Sequence, residues 1–281
     1  MTPFLFSLQF MKQFALITGG AGGIGLSFAK ICAKEGYPIL LVDINKENLE
    51  KAQEEILSLS DTYEVKVLNQ DLSIEGAAQI IFDYTKENEL QIDLLFNNAG
   101  FGNFGYFSDS SWTTDRAMLQ VHMITSTQLM KLYIPEMLSR KSGYILNNAS
   151  VAAFVPAPLH STYHASKSYL LNLSQALANE VKSSGINIAV LCPGMTKTNF
   201  AKANGNEDPN IKFNIATSDD VALMGYESLM KGKVVIVPGI WNKLSAFLPR
   251  ILSRKKVTNM VGNIQRKNHA KRADDKAIKN I

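Results

Sequence analysis

Tyr163 and Lys167 form the pair of residues that most directly suggests catalysis. Residues four apart share one face of a helix, so the phenol and the ammonium can meet. A free tyrosine ionises near pH 10, too high for a proton donor and acceptor at neutral pH. A neighbouring ammonium favours the phenolate, so Lys167 is predicted to lower the pKa of Tyr163 for general acid–base catalysis. The alternative is an ordinary Tyr–Lys pair on a helix surface.

Two further features strengthen the catalytic interpretation. Ser150 lies thirteen positions before Tyr163, and a glycine-rich turn spans residues 18–25. The turn joins a predicted strand to a predicted helix. Glycines let a backbone approach a ligand closely, and a helix N-terminus offers free N–H groups and a positive dipole end to a pyrophosphate. The alternative is a glycine loop that serves tight packing alone.

Together these motifs resemble the short-chain dehydrogenase/reductase family. The resemblance runs from about Phe14 to about Gly239 and implies an oxidoreductase that interconverts an alcohol and a carbonyl by hydride transfer with a nicotinamide cofactor. It implies that Tyr163 exchanges the proton, Lys167 also grips the nicotinamide ribose, and Ser150 hydrogen-bonds the substrate oxygen. The motifs, in chain order, are TGxxxGxG at the turn, Asn97-Asn98-Ala99-Gly100, Ser150, Tyr163 with Lys167, and Pro193-Gly194.

The same resemblance implies the cofactor-binding residues. The glycine turn would hold the pyrophosphate, Asp71-Leu72 would flank the adenine, Asn97 would lie beside the cofactor, and Thr196 and Thr198 would lie near the nicotinamide. Asp71 as a helix cap and Asn97 as a turn residue are the alternatives. The implied set is Gly19, Gly23, Ile24, Gly25, Asp43, Asp71, Leu72, Asn97, Tyr163, Lys167 and Thr196.

Asp43 indicates which cofactor is preferred. It closes the second predicted strand, where a carboxylate accepts hydrogen bonds from the adenosine ribose and repels a 2′-phosphate. Neither Ile44 nor the glycine turn supplies the Arg or Lys that NADP-preferring relatives usually carry there. NAD is therefore the predicted cofactor, with NADP second. A helix-capping Asp is the alternative.

His122 departs from the family pattern. Many members have an Asn in this helix, where it holds a water of the proton relay. Imidazole can also bridge a water chain and titrates near neutrality, so His122 is a candidate catalytic residue. The alternative is a helix histidine with structural hydrogen bonds. The departure also keeps open a nucleotide-binding sensor or structural protein with weak or no catalysis.

The fold is predicted from alternating apolar runs and helical patterns. Seven strands are predicted at residues 14–18, 38–42, 65–69, 94–96, 144–147, 186–192 and 234–237, with helices between them, one of which is predicted over residues 115–137. This alternation predicts an α/β fold, a doubly wound Rossmann-type parallel sheet with helices on both faces. Residues 11–239 are predicted to form the dinucleotide-binding catalytic domain, and residues 240–281 a basic helical C-terminal extension with a disordered end.

Composition bounds the remaining classes of function. With 46% apolar and 19% charged residues, the chain is an ordinary globular protein. Cys32 and Cys192 are predicted to be buried free thiols, which suits the cytoplasm. His160 and His164 lack a third ligand at metal spacing, so no metal is expected, and no nucleic-acid module is found. The apolar residues 1–10 are too short to span a bilayer and lack a basic signal-peptide start.

The substrate side is predicted to be apolar. Residues 151–159, after Ser150, are mostly apolar and predict a hydrophobic alcohol or carbonyl substrate, although such a loop can also serve subunit contact. Residues 198–218 are predicted to form a mobile lid.

The tail carries the positive charge of the protein. From Arg250 onward ten Lys or Arg face only two Asp, whereas the preceding part is net acidic. Pro249 must start a new helix or kink the existing one. The predicted role is either peripheral contact with a membrane or packing on the domain or on a second subunit of a homo-oligomer. The apolar residues recurring at helical spacing are Trp241, Leu244, Phe247, Leu248, Ile251 and Leu252.

Overall fold

The computed structural model describes residues 13–198 and 216–279, with side chains up to Lys271. Residues 1–10 and most of the predicted lid lie outside these ranges. So does most of the tail end for which disorder is predicted. The interpretations of these three segments stay predictions.

A seven-stranded parallel sheet forms the centre of the protein, in the order β3-β2-β1-β4-β5-β6-β9. Its central strands are nearly continuous apolar runs because both faces are covered. The predicted doubly wound sheet is confirmed. A two-residue pair, β7 with β8, was not predicted. The strands are β1 (Gln13–Thr18), β2 (Ile39–Asp43), β3 (Val65–Asn69), β4 (Gln91–Asn97), β5 (Gly143–Asn148), β6 (Ile186–Leu191), β7 (Thr196–Lys197), β8 (Ala216–Thr217) and β9 (Val235–Ile236).

Helices cover both faces of the sheet, as predicted. One apolar core lies between the sheet and α1, α2 and α7, and a second lies between the sheet and α3, α5 and α6. Cys32 and Cys192 are buried free thiols, which confirms that prediction. The helices are α1 (Gly23–Lys34), α2 (Lys46–Leu57), α3 (Ala77–Glu87), α4 (Trp112–Leu119), α5 (Ser126–Arg140), α6 (Ser161–Glu180), α7 (Ser218–Met230), α8 (Ile240–Phe247) and α9 (Arg254–Lys279).

The helix predicted over residues 115–137 is interrupted. A π-helical segment, Gln120–Thr125, separates α4 from α5. Ser126 Oγ donates to the carbonyl of Val121 at 3.0 Å, and Thr125 Oγ1 donates to the carbonyl of Leu72 at 2.9 Å. The wider π turn is held partly by contacts from distant segments, which helical periodicity cannot reveal. It places His122 in the interior.

The C-terminal extension is helical, as predicted. A short 3₁₀ turn at Leu248–Arg250, which includes Pro249, separates α8 from α9. Helix α9 packs back on the domain: Gly262 adjoins Pro158, and the His269 ring lies 5.2 Å from that of Tyr106. Within the described residues, no helix has both the length and the apolar character needed to cross a bilayer.

Candidate active site

The glycine turn is shaped to receive a phosphate group. Gly19 and Gly23 have φ of +64° and +54°, which side chains disfavour. A Cβ at Gly25 would overlap the carbonyl oxygen of Gly19, and one at Gly19 would lie 2.9 Å from Cα of Ala99. Gly22 caps α1 without a side chain, so no capping side chain occupies the helix N-terminus. These features fit the pyrophosphate of a dinucleotide.

Thr18 and Asn98 fasten this turn to the neighbouring strand. Thr18 Oγ1 accepts from the backbone N–H groups of Asn98 and Ala99 at 3.0 and 3.1 Å. The Asn98 amide donates to the carbonyls of Thr18 and Gly19 at 3.0 and 3.2 Å. Asn98 was not singled out from the sequence, although its place in the Asn97-Asn98-Ala99-Gly100 motif was the available signal.

Asp43 lies beside the glycine turn. Its Oδ2 accepts from the Ala21 backbone N–H at 3.2 Å, and its Oδ1 accepts from Asn45 N–H at 3.0 Å. The nearby Lys46 amine lies 3.9 Å from Glu50 along α2. The carboxylate is thus positioned at the end of β2, and the neighbouring lysine is paired with a glutamate.

The other predicted cofactor residues follow the carboxyl ends of the strands. Asp71 accepts from Ser73 N–H at 2.8 Å, and Leu72 is buried after β3. Asn97 is buried and donates to Asn147 Oδ1 at 2.8 Å, so its amide braces β4 against β5. Thr196, in β7, donates to the carbonyl of Gly194 at 3.3 Å.

Ser150, Tyr163 and Lys167 meet at the same edge of the sheet. Tyr163 and Lys167 are 8% and 4% exposed on the inner face of α6. The Lys167 Nζ donates to the Asn148 carbonyl at 2.7 Å and lies 5.8 Å from the centre of the Tyr163 ring. Ser150 follows β5, and its hydroxyl hydrogen-bonds the Tyr163 phenol. The predicted serine, tyrosine and lysine are therefore brought together.

The predicted lowering of the Tyr163 pKa by Lys167 is wrong for the folded chain. Burial raises the pKa of Tyr163 to about 12, against the opposing effect of its hydrogen bond with Ser150. Burial also lowers the pKa of Lys167 to about 8. Spacing on a helix indicates that two groups are near, but desolvation disfavours both charged forms and is the largest cause of each shift. At neutral pH the phenol therefore carries its proton.

His122 forms a hydrogen-bonded bridge behind the tyrosine. Its Nε2 accepts from the Phe101 backbone N–H at 3.2 Å, so its proton lies on Nδ1, 2.9 Å from Ser166 Oγ. Ser166 in turn donates to the Tyr163 carbonyl at 2.8 Å. Burial, and secondarily the charge of Lys167, hold the pKa of His122 well below its usual range. A neutral ring with both nitrogens engaged positions Tyr163 and the Phe101 backbone.

The amino-acid sequence is similar to those of known proteins. A model of the short chain dehydrogenase family matches residues 13–209. Oxidoreductase UcpA of Salmonella typhimurium is 32% identical over 190 residues, which cover 67% of this chain and 71% of that protein. The 17-beta-hydroxysteroid dehydrogenase type 3 of Mus musculus is 34% identical over 204 residues, or 71% of this chain and 65% of that protein.

The fold also matches solved structures. A short-chain dehydrogenase from Sphingobium yanoikuyae, solved in complex with NADPH, superposes with a TM-score of 0.75 at 25% identity. The match covers 86% of this chain and 95% of that one.

Proposed function

We propose that this chain, which belongs to the short chain dehydrogenase family of oxidoreductases, interconverts a hydrophobic alcohol and its carbonyl with NAD(H). The observation that carries the proposal is the convergence of Ser150, Tyr163 and Lys167 beside the glycine turn. These side chains come from β5 and α6, whereas the turn comes from β1 and α1. Their meeting at one edge of the sheet joins a proton donor to a dinucleotide site.

Each catalytic side chain has a distinct task. The Tyr163 phenol, protonated at neutral pH, donates its proton to the carbonyl oxygen during reduction and becomes a phenolate. In the reverse direction the phenolate form of Tyr163 accepts the proton of the alcohol. Ser150 donates a hydrogen bond to the same substrate oxygen, where charge develops. Lys167 orients the phenol and holds the nicotinamide ribose. When bound, the cofactor supplies or accepts the hydride.

Asp43 supports NAD(H) as the preferred form. Its carboxylate lies at the end of β2 beside Ala21, where a ribose 2′-phosphate would meet negative charge.

The substrate side supports a hydrophobic compound. After Ser150 the chain forms an apolar turn, Val151–Phe154, in which Ala152 and Ala153 are buried. Ala152 and Phe101 pack beside Tyr163. The mouse relative is named as a hydroxysteroid dehydrogenase, which fits a substrate of this kind.

The experiment is Tyr163→Phe, assayed by NADH absorbance against a panel of apolar alcohols and ketones, steroids included. Loss of the proton donor should lower kcat by about 10²–10⁴-fold. In a fluorescence titration the variant should bind NADH with the wild-type affinity. Both proteins should bind NADH more tightly than NADPH. Tyr169→Phe, on the same helix but pointing to Thr127, is the matched control and should keep its turnover.

Near-normal turnover in Tyr163→Phe would overturn the assigned reaction. Tighter binding of NADPH than of NADH would overturn the cofactor preference alone. Tight cofactor binding without turnover of any compound in the panel would favour a nucleotide-binding sensor instead.

A further inference from the structure

The outward face of α8 and the following turn is apolar. Its side chains recur every three or four residues, so they form one stripe, and each is 43% to 68% exposed. The opposite face is attached to the domain: the Asn242 side chain adjoins Gly194, and Ala246 is buried. The stripe consists of Ile240, Trp241, Leu244, Phe247, Leu248 and Ile251.

Positive charge surrounds this stripe. From Ile240 to Lys271 the chain has eight Lys or Arg and no Asp or Glu. Five of the cations lie within or just after the stripe, and all five are exposed. They are Lys243, Arg250, Arg254, Lys255 and Lys256.

We propose that these eleven residues, the docking face, bind the surface of an anionic lipid bilayer. An amphipathic helix with apolar side chains on one face and Lys or Arg beside them lies in the interface plane of a membrane. Trp241 is suited to the headgroup level, where tryptophan is enriched. The cations attract anionic headgroups electrostatically. The docking is peripheral, through α8 and the start of α9.

The charge argues against a second copy of the chain as the occupant. In an isologous pairing the same face meets itself, so its cations would confront each other. Within the part of the chain that the structure describes, the stripe is exposed and the domain contacts are made by Asn242 and Ala246, which argues against packing of the stripe on its own domain. An anionic bilayer complements both the exposed apolar stripe and the positive charge of this face.

The docking face adjoins the loop that follows Ser150. A cavity of about 250 Å³ separates them, with Phe154 and Pro156 on one side and Ala246, Pro249 and Val257 on the other. Arg250 and Arg254 complete its wall. When the protein is bound to a membrane through the docking face, this apolar loop would therefore lie close to the lipid headgroups. Vesicle binding does not depend on turnover, so it tests this proposal independently of the proposed reaction.

The test is co-sedimentation of the full chain with phosphatidylcholine vesicles and with mixed phosphatidylcholine–phosphatidylserine vesicles. Binding is expected to the mixed vesicles only and to weaken at high salt. Lys255→Glu/Lys256→Glu should weaken it at least about 25-fold, since each lost cation costs roughly fivefold. Trp241→Ala/Phe247→Ala should abolish it.

The chain offers a control matched in residue type. Trp112 and Phe107 are 69% and 72% exposed, against 57% and 52% for Trp241 and Phe247. Trp112→Ala/Phe107→Ala should bind vesicles like the wild type. Thermal melting establishes that all variants fold.

Three results would overturn the proposal. One is absence of wild-type binding to the mixed vesicles, and another is equal loss of binding in the control variant. The third is a soluble dimer that becomes monomeric in Trp241→Ala/Phe247→Ala, which would identify a second copy as the occupant.

Discussion

The glycine turn and the Tyr163 cluster lie at the same edge of the sheet but work by different physical means. The turn between β1 and α1 is made of backbone: its glycines permit close approach, and Thr18 and Asn98 tie it to β4 through neutral hydrogen bonds. The cluster around Tyr163 is made of buried ionisable side chains from α6 and from the π-helical segment. Tyr163, Lys167 and His122 all have pKa values shifted by burial, which is the largest cause for each.

The two regions should therefore respond differently to mutation and to pH. A site formed by the shape of the backbone loses ligand affinity when a side-chain atom is added, and this loss should not depend on pH. A site built from buried ionisable groups tolerates little loss of hydrogen bonding, and its stability depends on pH because folding alters proton affinity. Three predictions test this contrast.

The largest effect is expected for Gly25→Ala. The added Cβ would overlap the Gly19 carbonyl, so the turn must move. We expect NADH affinity to fall at least about 100-fold, with a loss of about 1–3 kcal/mol in the free energy of unfolding. Fluorescence titration and chemical denaturation at pH 6 and pH 8 should give the same losses.

Gly36→Ala is its matched control. Gly36 also has a positive φ of +86°, but a Cβ there has nothing within 4 Å. It should cost stability through backbone strain, about 1 kcal/mol, and leave NADH binding unchanged. If Gly25→Ala binds NADH as well as Gly36→Ala does, backbone shape is not what forms the cofactor site.

An intermediate effect is expected at His122. His122→Leu leaves the Phe101 N–H without its acceptor and Ser166 without its imidazole partner, so unfolding free energy should fall by about 1–3 kcal/mol. His122→Asn, which keeps polar atoms, should lose less. Because the pKa of His122 lies well below its usual range, the pH profile of kcat/KM should show no step from this residue between pH 6 and pH 7.

A relay role for His122 would give the opposite kinetic result. A wild-type step near pH 6.5 that disappears in His122→Asn would mean that the ring titrates during turnover. The proposed positioning role would then be incorrect.

The smallest effect is expected from the titration of Lys167. Its pKa falls from 10.5 to about 8 on folding, so between these values the unfolded chain holds a proton that the folded chain lacks. Stability therefore rises with pH through this window. Relative to Lys167→Met, the wild type should gain about 1 kcal/mol between pH 7 and pH 9. Denaturation at both pH values, without cofactor, measures the gain.

Two features keep this measurement interpretable. Ionisation of Tyr163, whose pKa is raised from 10 to about 12, reduces stability only above about pH 10, outside the range used. Lys182→Met, at an exposed lysine beyond α6, is the control and should follow the wild type at both pH values. A constant difference between wild type and Lys167→Met would contradict the shift assigned to burial.

Much of the fold was predictable from the sequence because its signals are local. Apolar runs bounded by turn residues located the seven strands, and the positions of the glycine and asparagine motifs after strands located the functional edge. The π segment was not predictable, since Thr125 is held by the carbonyl of Leu72, which follows the edge strand β3 and is distant in the sequence. Helical periodicity between residues 115 and 137 therefore predicted one continuous helix.

The sequence was sufficient to predict which residue types meet at the active site, their order along the chain and the sheet edge to which they belong. The folded structure was needed for the sign of the Tyr163 pKa shift, the engagement of both His122 nitrogens and the outward exposure of the α8 stripe. The physical reason is common to all three. Desolvation, hydrogen-bond partnership and exposure depend on distant segments packed around a side chain, which residue spacing along one element does not specify.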